Sequence, residues 1–291
     1  MPNNKKNTEL TDLELTSIQL IEDAYEQRSA LHSSEKLNLK LSLQPILKNI
    51  LNKLELGELR VTERINDEWK TNVWIKKAIL LSFIVNDAKL ISGSTHNYFD
   101  KIPPRFKNAD LTLMQSIGSR IVPPACIRSG AYIGKNTVIM PSYINIGAFV
   151  DDGSMIDTWV TIGSCAQIGK NVHVSSGVCI GGVLEPMQDN PTIIEDNCFI
   201  GAGSSIVEGV VVEKNSVISM GVTLGQSTKI YDRETDTIIY GRVPSGSVII
   251  PGSLPAKNGK CSLYCAVIVK KVDAQTLSKT SINNILREVV S

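Results

Sequence analysis

An aliphatic residue stands at every sixth position from Ile144 to Ile180: Ile144, Val150, Ile156, Ile162, Ile168, Val174 and Ile180. The beat resumes at Ile194 and continues through Ile200, Ile206, Val212, Ile218 and Leu224. A lead-in runs Ile127, Ile133, Ile139. Helices repeat every ~3.6 residues and simple strands every ~2, so neither demands a strict six. A hexapeptide repeat does: three hexads, roughly eighteen residues, close one triangular coil of a parallel β-helix. The aliphatic residue points into the prism and stacks in ladders from coil to coil.

The rest of each hexad agrees. The residue after the aliphatic one is often small or acidic, as at Gly163, Gly169, Asp151 and Asp157. The fifth position is small or Val, as at Ser154, Ala166, Cys198 and Ser204. Glycines and Asn136, Asn171, Asn197 and Asn215 suit corners that need positive φ. Aromatic residues make up only 5% of the chain, which fits a prism too narrow for them. Outward apolar residues on flat faces, with Val160, Val178 and Val211 assigned there, predict a trimer.

Glycine marks the organisation. Of 21 glycines, only Gly57, Gly93 and Gly118 precede residue 130. Residues 1–105 read as an α-helical module. Thr11 and Glu14 form a capping box before a face of Leu15, Ile18, Ile21 and Tyr25. A second helical stretch, 37–54, is interrupted at Pro45. A short strand is expected at 59–61 and a helix over 69–85. Residues 106–255 read as the β-helix, broken by inserts at 181–192 and 226–247. Inserts leave a solenoid as loops on one side, often the binding side. Residues 256–291 read as a cap, with a strand at 262–272 and a helix at 273–289. Solenoid ends need such caps.

Composition removes several function classes. With 30 basic and 29 acidic residues, no charge excess points to nucleic acid or a membrane surface. No apolar run reaches membrane-spanning length, and MPNNKKNTEL has no secretory character. The six cysteines show no CxxC pair, so a reduced, cytoplasmic setting is expected, with repeat cysteines as core fillers. Only His173 lies in the repeat, so the three His ligands of a β-helix zinc enzyme are missing and no metal is expected. No glycine-rich phosphate loop opens the chain.

The commonest enzymes on left-handed β-helices are CoA-dependent acyltransferases, an analogy that needs residues behind it. Acyl transfer from a thioester to an amine needs a proton acceptor, oxyanion donors and cations for carboxylates. Asp157, in MIDTW, is the leading carboxylate, though by spacing it equals the corner acid Asp151. Arg120, in GSRIVPP, is a candidate for a substrate carboxylate, with a surface ion pair as its plain alternative. His173 is a candidate base, or a structural His in a strand. Gly203, Ser204, Ser219 and Gly221 offer small residues along which an extended pantetheine can lie. Lys257 and Lys260, or else Lys229 and Arg233, can meet CoA phosphates.

The run MPSYINIGAFVDDGSMIDTWVTIGSCAQIGKNVHVS resembles the tetrahydrodipicolinate N-succinyltransferase family, as do GGVLEP, GQSTKIYDRET, YGRVPSGSV and SLYCAVIVKKVDA. The resemblance is densest from Arg120 to Ala274. It implies a homotrimer of left-handed β-helices with sites between subunits, no permanently bound cofactor, and succinyl-CoA as co-substrate. The implied acceptor is the cyclic imine dicarboxylate tetrahydrodipicolinate. It also carries the family's substrate-binding arginine to Arg120 and its required aspartate to Asp157. One position departs: after CFIGA the family reads Arg-Ser-Glu, where this chain has Gly203-Ser204-Ser205. That departure keeps open a related acyltransferase using acetyl-CoA or another amino acid acceptor. A non-enzymatic scaffold fits less well, because it needs no inserts bearing family motifs.

Overall fold

The computed structural model describes residues 12–32, 37–93, 96–184 and 186–276. Each hexad contributes one two-residue strand, and these stack in parallel into three flat sheets of a left-handed β-helix. Face 1 stacks Arg120–Ile121, Val138–Ile139, Met155–Ile156, His173–Val174, Phe199–Ile200 and Val217–Ile218. Face 2 carries Cys126–Ile127 through Thr223–Leu224. Face 3 carries Tyr132–Ile133 through Arg242–Val243. The register pairs each inward aliphatic with its counterpart one coil on, so Ile139, Ile156, Val174, Ile200 and Ile218 form one ladder. All five are fully buried. Burying a side chain of this size contributes about 1.5–3 kcal/mol, and the ladders repeat that gain on every coil.

Corners turn three residues after each inward aliphatic. There φ is positive, at Asn136, Gly153, Asn171, Gly177, Asn197, Gly203, Asn215 and Gly221 among others. The next residue, at the fifth position, turns back inside. This corrects one expectation. Val160 and Val178 are 1% exposed and belong to the core, and only Val211 stands on an outer face. Cysteine placement also divides: Cys165 and Cys198 are buried fillers, whereas Cys179 is exposed on face 2.

The N-terminal module contains helices α1 (Asp12–Glu26), α2 (Leu37–Glu55) and α3 (Val73–Val85). Pro45 sits inside α2 rather than ending it. Its strands differ from expectation: Thr62–Ile65 pairs with Glu68–Thr71, and a second hairpin joins Lys89–Ser92 to Asn97–Asp100. Residues 59–61 therefore precede the strand, and Trp69 lies in a strand, not in α3. Ile21 and Ala24 form the buried side of α1, while Leu15 is exposed. The expected cap at Thr11 lies outside the described residues.

This module docks on the edge between faces 2 and 3. Ile146, Cys165 and Val183 from that edge join Ile79, Leu47 and Ile75 in one core. Arg60 stacks over Phe149 at 3.8 Å and donates Nε–H to Gln167 Oε1 at 2.7 Å. Trp69 donates to Glu195 Oε1 at 2.8 Å, so face 3 is clamped as well. The first insert leaves from the same edge and is held by Lys76. This fully buried ammonium donates to the carbonyls of Gln188 and Asp189, and burial lowers its pKa.

The second insert is shorter than expected, because Arg242–Val243 already resumes the coil against Val211–Val212. Its hairpin, Ile230–Asp232 with Thr237–Ile239, does not form a side loop. It lies beside Ser262–Lys271, which pairs antiparallel with Ser247–Pro255. Ile230, Ala266 and Ile268 are buried in the prism core, so insert and C-terminal strands together plug its end. Phe106 and Ala125 pack against the same core. The helix expected at 273–289 lies almost wholly outside the described residues. Among those described, no helix is long and apolar enough to cross a membrane, and no cluster of three His, Cys, Asp or Glu side chains suits a metal.

Candidate active site

The edge between faces 1 and 2 is left uncovered by the N-terminal module, and the sequence candidates gather there. Coil by coil it turns at Met140–Ser142, Asp157–Val160, Ser175–Val178, Gly201–Ser204 and Ser219–Val222. Backbone hydrogen bonds tie each turn to the previous one: Trp159 N–H to Pro141, Gly177 to Thr158, Gly203 to Ser176 and Gly221 to Ala202. Asp157, Gly203, Ser204, Ser219 and Gly221 thus share one edge, although insert one separates them in sequence.

Asp157 follows the inward Ile156 and is half-buried. Its Oδ1 accepts from Thr158 N–H at 2.6 Å and from Thr158 Oγ1 at 3.2 Å, which fixes the carboxylate. No described residue donates to Oδ2. Asp151, its equal by spacing, sits on another edge, beneath Arg60; burial raises its pKa. The two corner acids, indistinguishable in sequence, therefore have different settings.

Arg120 starts face 1, outward, two coils before Met155 in the ladder. Its Nη2 reaches Met140 Sδ at 3.7 Å. A thioether is a weak acceptor, and Nε of Arg120 is buried with no partner among the described residues. Met140 occupies, one coil earlier, the position that Asp157 holds on its own, since Ile139 pairs with Ile156. The guanidinium thus ends one coil from the Asp157 carboxylate, with most of its donors unused. That donor set fits a carboxylate, which an Arg fork grips in two places. Between them the edge is one residue short: Ile144 follows Ile139 by five, where the later beats outside the first insert are six. Ser142 Oγ is buried there without a described partner.

Above Asp157 the edge is lined by Ser176, Gly177, Ala202, Gly203 and Gly221. A side chain built on Gly177, Gly203 or Gly221 would meet no atom within 4 Å, so the slot is open. Ser204 does not line it. Its hydroxyl turns into the corner, donating to the Ser219 carbonyl at 2.9 Å and accepting from Val222 N–H at 3.3 Å. Ser219 is half-buried on the face 1 side. At the far end Tyr264 accepts from Thr223 N–H at 2.7 Å, bringing the C-terminal hairpin across the slot. Lys257 and Lys260 are exposed in the turn of that hairpin, between Pro255 and Ser262. The alternatives Lys229 and Arg233 belong to the plug, where their backbones pair with Ala266 and Ile268.

His173 is outward on face 1 and stacks on Phe199 with ring centroids 4.9 Å apart. Ser205, at the departure from the family pattern, lies just past this edge on face 2, between Cys179 and Thr223. Glu208 cannot replace a carboxylate there. It sits at the opposite border of face 2, where Oε2 accepts from Gln226 N–H at 2.8 Å. Sequence reasoning passed over Trp159 and Met140. Both were findable by counting: Met140 marks the short hexad, and Trp159 holds a corner position that the following coils give to Gly177, Gly203 and Gly221.

Comparison with known proteins places this geometry in context. Residues 17–85 match the family model described as tetrahydrodipicolinate N-succinyltransferase N-terminal. Residues 191–226 match the hexapeptide repeat of succinyl-transferase. A 2,3,4,5-tetrahydropyridine-2,6-dicarboxylate N-succinyltransferase of Sodalis glossinidius is 59% identical over 271 residues, covering 93% of this chain and 98% of that protein. One of Pasteurella multocida is 60% identical over 270 residues, covering 93% and 97%. One of Buchnera aphidicola is 61% identical over 243 residues, covering 84% and 88%.

Proposed function

This chain belongs to the 2,3,4,5-tetrahydropyridine-2,6-dicarboxylate N-succinyltransferase family, and from that membership we propose a division of labour among the groups on the open edge. The enzyme moves a succinyl group from succinyl-CoA to ring-opened tetrahydrodipicolinate, in lysine and diaminopimelate biosynthesis. Water adds to the cyclic C=N bond and the ring opens to a ketone and a free amine. The amine nitrogen attacks the thioester carbonyl, a C–N bond forms, and the C–S bond breaks. The products are N-succinyl-2-amino-6-oxopimelate and CoA.

Asp157 aligns the amine and takes its proton on Oδ2, the oxygen that Thr158 leaves free. Arg120 grips a carboxylate of the acceptor. The pantetheine arm lies along Gly177, Gly203 and Gly221, and Lys257 and Lys260 meet the CoA phosphates. The observation that carries this reading is the unsatisfied Arg120 guanidinium beside a fixed Asp157, at the end of an open slot. Both inserts leave from another edge, and the open face 1 presents Met155, Phe199 and Val217, all half-buried. Those residues support a homotrimer that covers the face and completes the site between subunits.

A thiol-release assay with succinyl-CoA and enzymatically generated tetrahydrodipicolinate tests the reading, with acetyl-CoA as competing donor. Sedimentation should give about three times the 31.7 kDa chain mass. A stable monomer would remove the shared site. Arg120→Lys should raise KM for the acceptor and leave that for the donor nearly unchanged, because lysine keeps the charge but loses the fork. Equal weakening of both substrates would make Arg120 a packing residue instead.

Ser205 sets a further test. If the family's second carboxylate limits this enzyme, Ser205→Glu raises kcat, and Gly203→Arg with Ser205→Glu raises it more, by supplying the neighbouring cation. Gly203 has open space for that side chain, at the cost of positive φ and of a raised KM for the thioester that lies along it. No gain in either variant would mean that Asp157, water and backbone donors suffice.

A further inference from the structure

Trp159 is out of place by every local rule. Its φ is +60°, a left-handed conformation that bulky residues avoid. The residue is 70% exposed. At the corresponding corner of the following coils, positive φ falls on Gly177, Gly203 and Gly221. Its indole N–H has no protein acceptor among the described residues. Strain combined with exposure at one residue is a signature of function rather than of packing.

Its surroundings say what the ring can do. Trp159 stands two residues after Asp157 and one coil before Gly177, where the open slot begins. On the coil before it the corner is one residue short, and Pro141 accepts the Trp159 backbone N–H at 2.6 Å. The ring therefore marks the lower end of the slot, at the reacting carboxylate and away from the hairpin that carries Lys257 and Lys260. A thioester lying with its phosphates toward that hairpin brings its acyl group to Trp159.

We propose that Trp159 reads the acyl group of the donor: the ring closes the slot, and the indole N–H donates to the carboxylate at the far end of the succinyl chain. This rests on the slot being the donor site, as proposed above. A hydrogen bond to a charged group discriminates by roughly tenfold or more when its partner is lost. A donor without the terminal carboxylate gains nothing from it.

The test compares full-length wild type with Trp159→Phe and Trp159→Gly, measuring kcat/KM for succinyl-CoA and acetyl-CoA with the same acceptor. Trp159→Phe keeps a wall but removes the donor. It should lower the succinyl-over-acetyl preference about tenfold. Trp159→Gly removes the wall as well, so it should abolish the preference through a loss in kcat/KM that is larger for succinyl-CoA than for acetyl-CoA, with thermal stability kept because the corner strain is relieved. Equal losses for both donors, or an unchanged preference, overturn the proposal. So does dissociation of the assembly in Trp159→Gly, which would make the ring a subunit anchor. If wild type turns over neither thioester, the donor-slot reading itself fails and takes this inference with it. If wild type prefers succinyl-CoA and both variants keep that preference, only the assignment of Trp159 fails.

Discussion

Asp157→Asn is expected to fold like the wild type and to lose on the order of 10²-fold or more in kcat, as for removal of a general base. The reason lies in how the two carboxylate oxygens are used. Oδ1 accepts from the Thr158 backbone and hydroxyl, and an Asn oxygen in the same place accepts them equally well. The corner is therefore preserved. The amide then puts NH₂ where Oδ2 was, replacing an acceptor with a donor that cannot take the proton of the attacking amine. Steady-state rates with saturating succinyl-CoA, together with chemical unfolding of both proteins, separate chemistry from stability. Turnover near that of the wild type would reduce Asp157 to a corner residue.

The second large effect is structural. Gly163→Ala should destabilise the fold by about 3 kcal/mol, the upper end of ordinary overpacking. Gly163 follows the inward Ile162, and its Cβ would stand only 2.2 Å from the backbone nitrogen of Gly182 on the next coil. Coil spacing is fixed by the ladder hydrogen bonds at about 4.8 Å, so backbone cannot retreat locally. Gly177→Ala is the control. A methyl there meets nothing within 4 Å, and only the φ of +70° opposes it, at about 1–2 kcal/mol. Urea unfolding midpoints of the two variants should differ clearly. Equal midpoints would show that the coils can move apart and that the small position is not dictated by contact. The control should also crowd the slot and raise KM for the thioester.

The two glycines illustrate what could be read before the structure. The period of six announces ladders, coils and corners because each is a local consequence of chain geometry: inward position, close approach, then positive φ. Asn136, Asn171, Asn197 and Asn215 all take the conformation that the sequence predicts. Val160 and Val178 were misplaced because the turn at positive φ sends the following residue inside, a reversal that simple alternation hides. The strands of the N-terminal module were missed because short hairpins such as Thr62–Ile65 with Glu68–Thr71 are held largely by the surface they cover. Arg64 and Trp69 reach Glu195 on face 3, far away in sequence.

The period of six was enough to announce a β-helix of stacked hexads with a helical module before it, and motif resemblance pointed to the chemistry. A period of six cannot say which edge of the prism is the site, because the three edges are equivalent in the repeat. Tertiary contacts break that equivalence. The N-terminal helices bury the edge between faces 2 and 3, where Ile146 and Cys165 join their core. Lys76 draws the first insert onto the same side, and the second insert closes the prism end. Two edges remain exposed: the one between faces 3 and 1, where Asn171, Asn197 and Asn215 hydrogen-bond to one another, and the one carrying Asp157 and Gly203, with the unsatisfied guanidinium of Arg120 beside it. Apolar burial chose which edge to cover, and unsatisfied groups on an edge it left bare make up the proposed site.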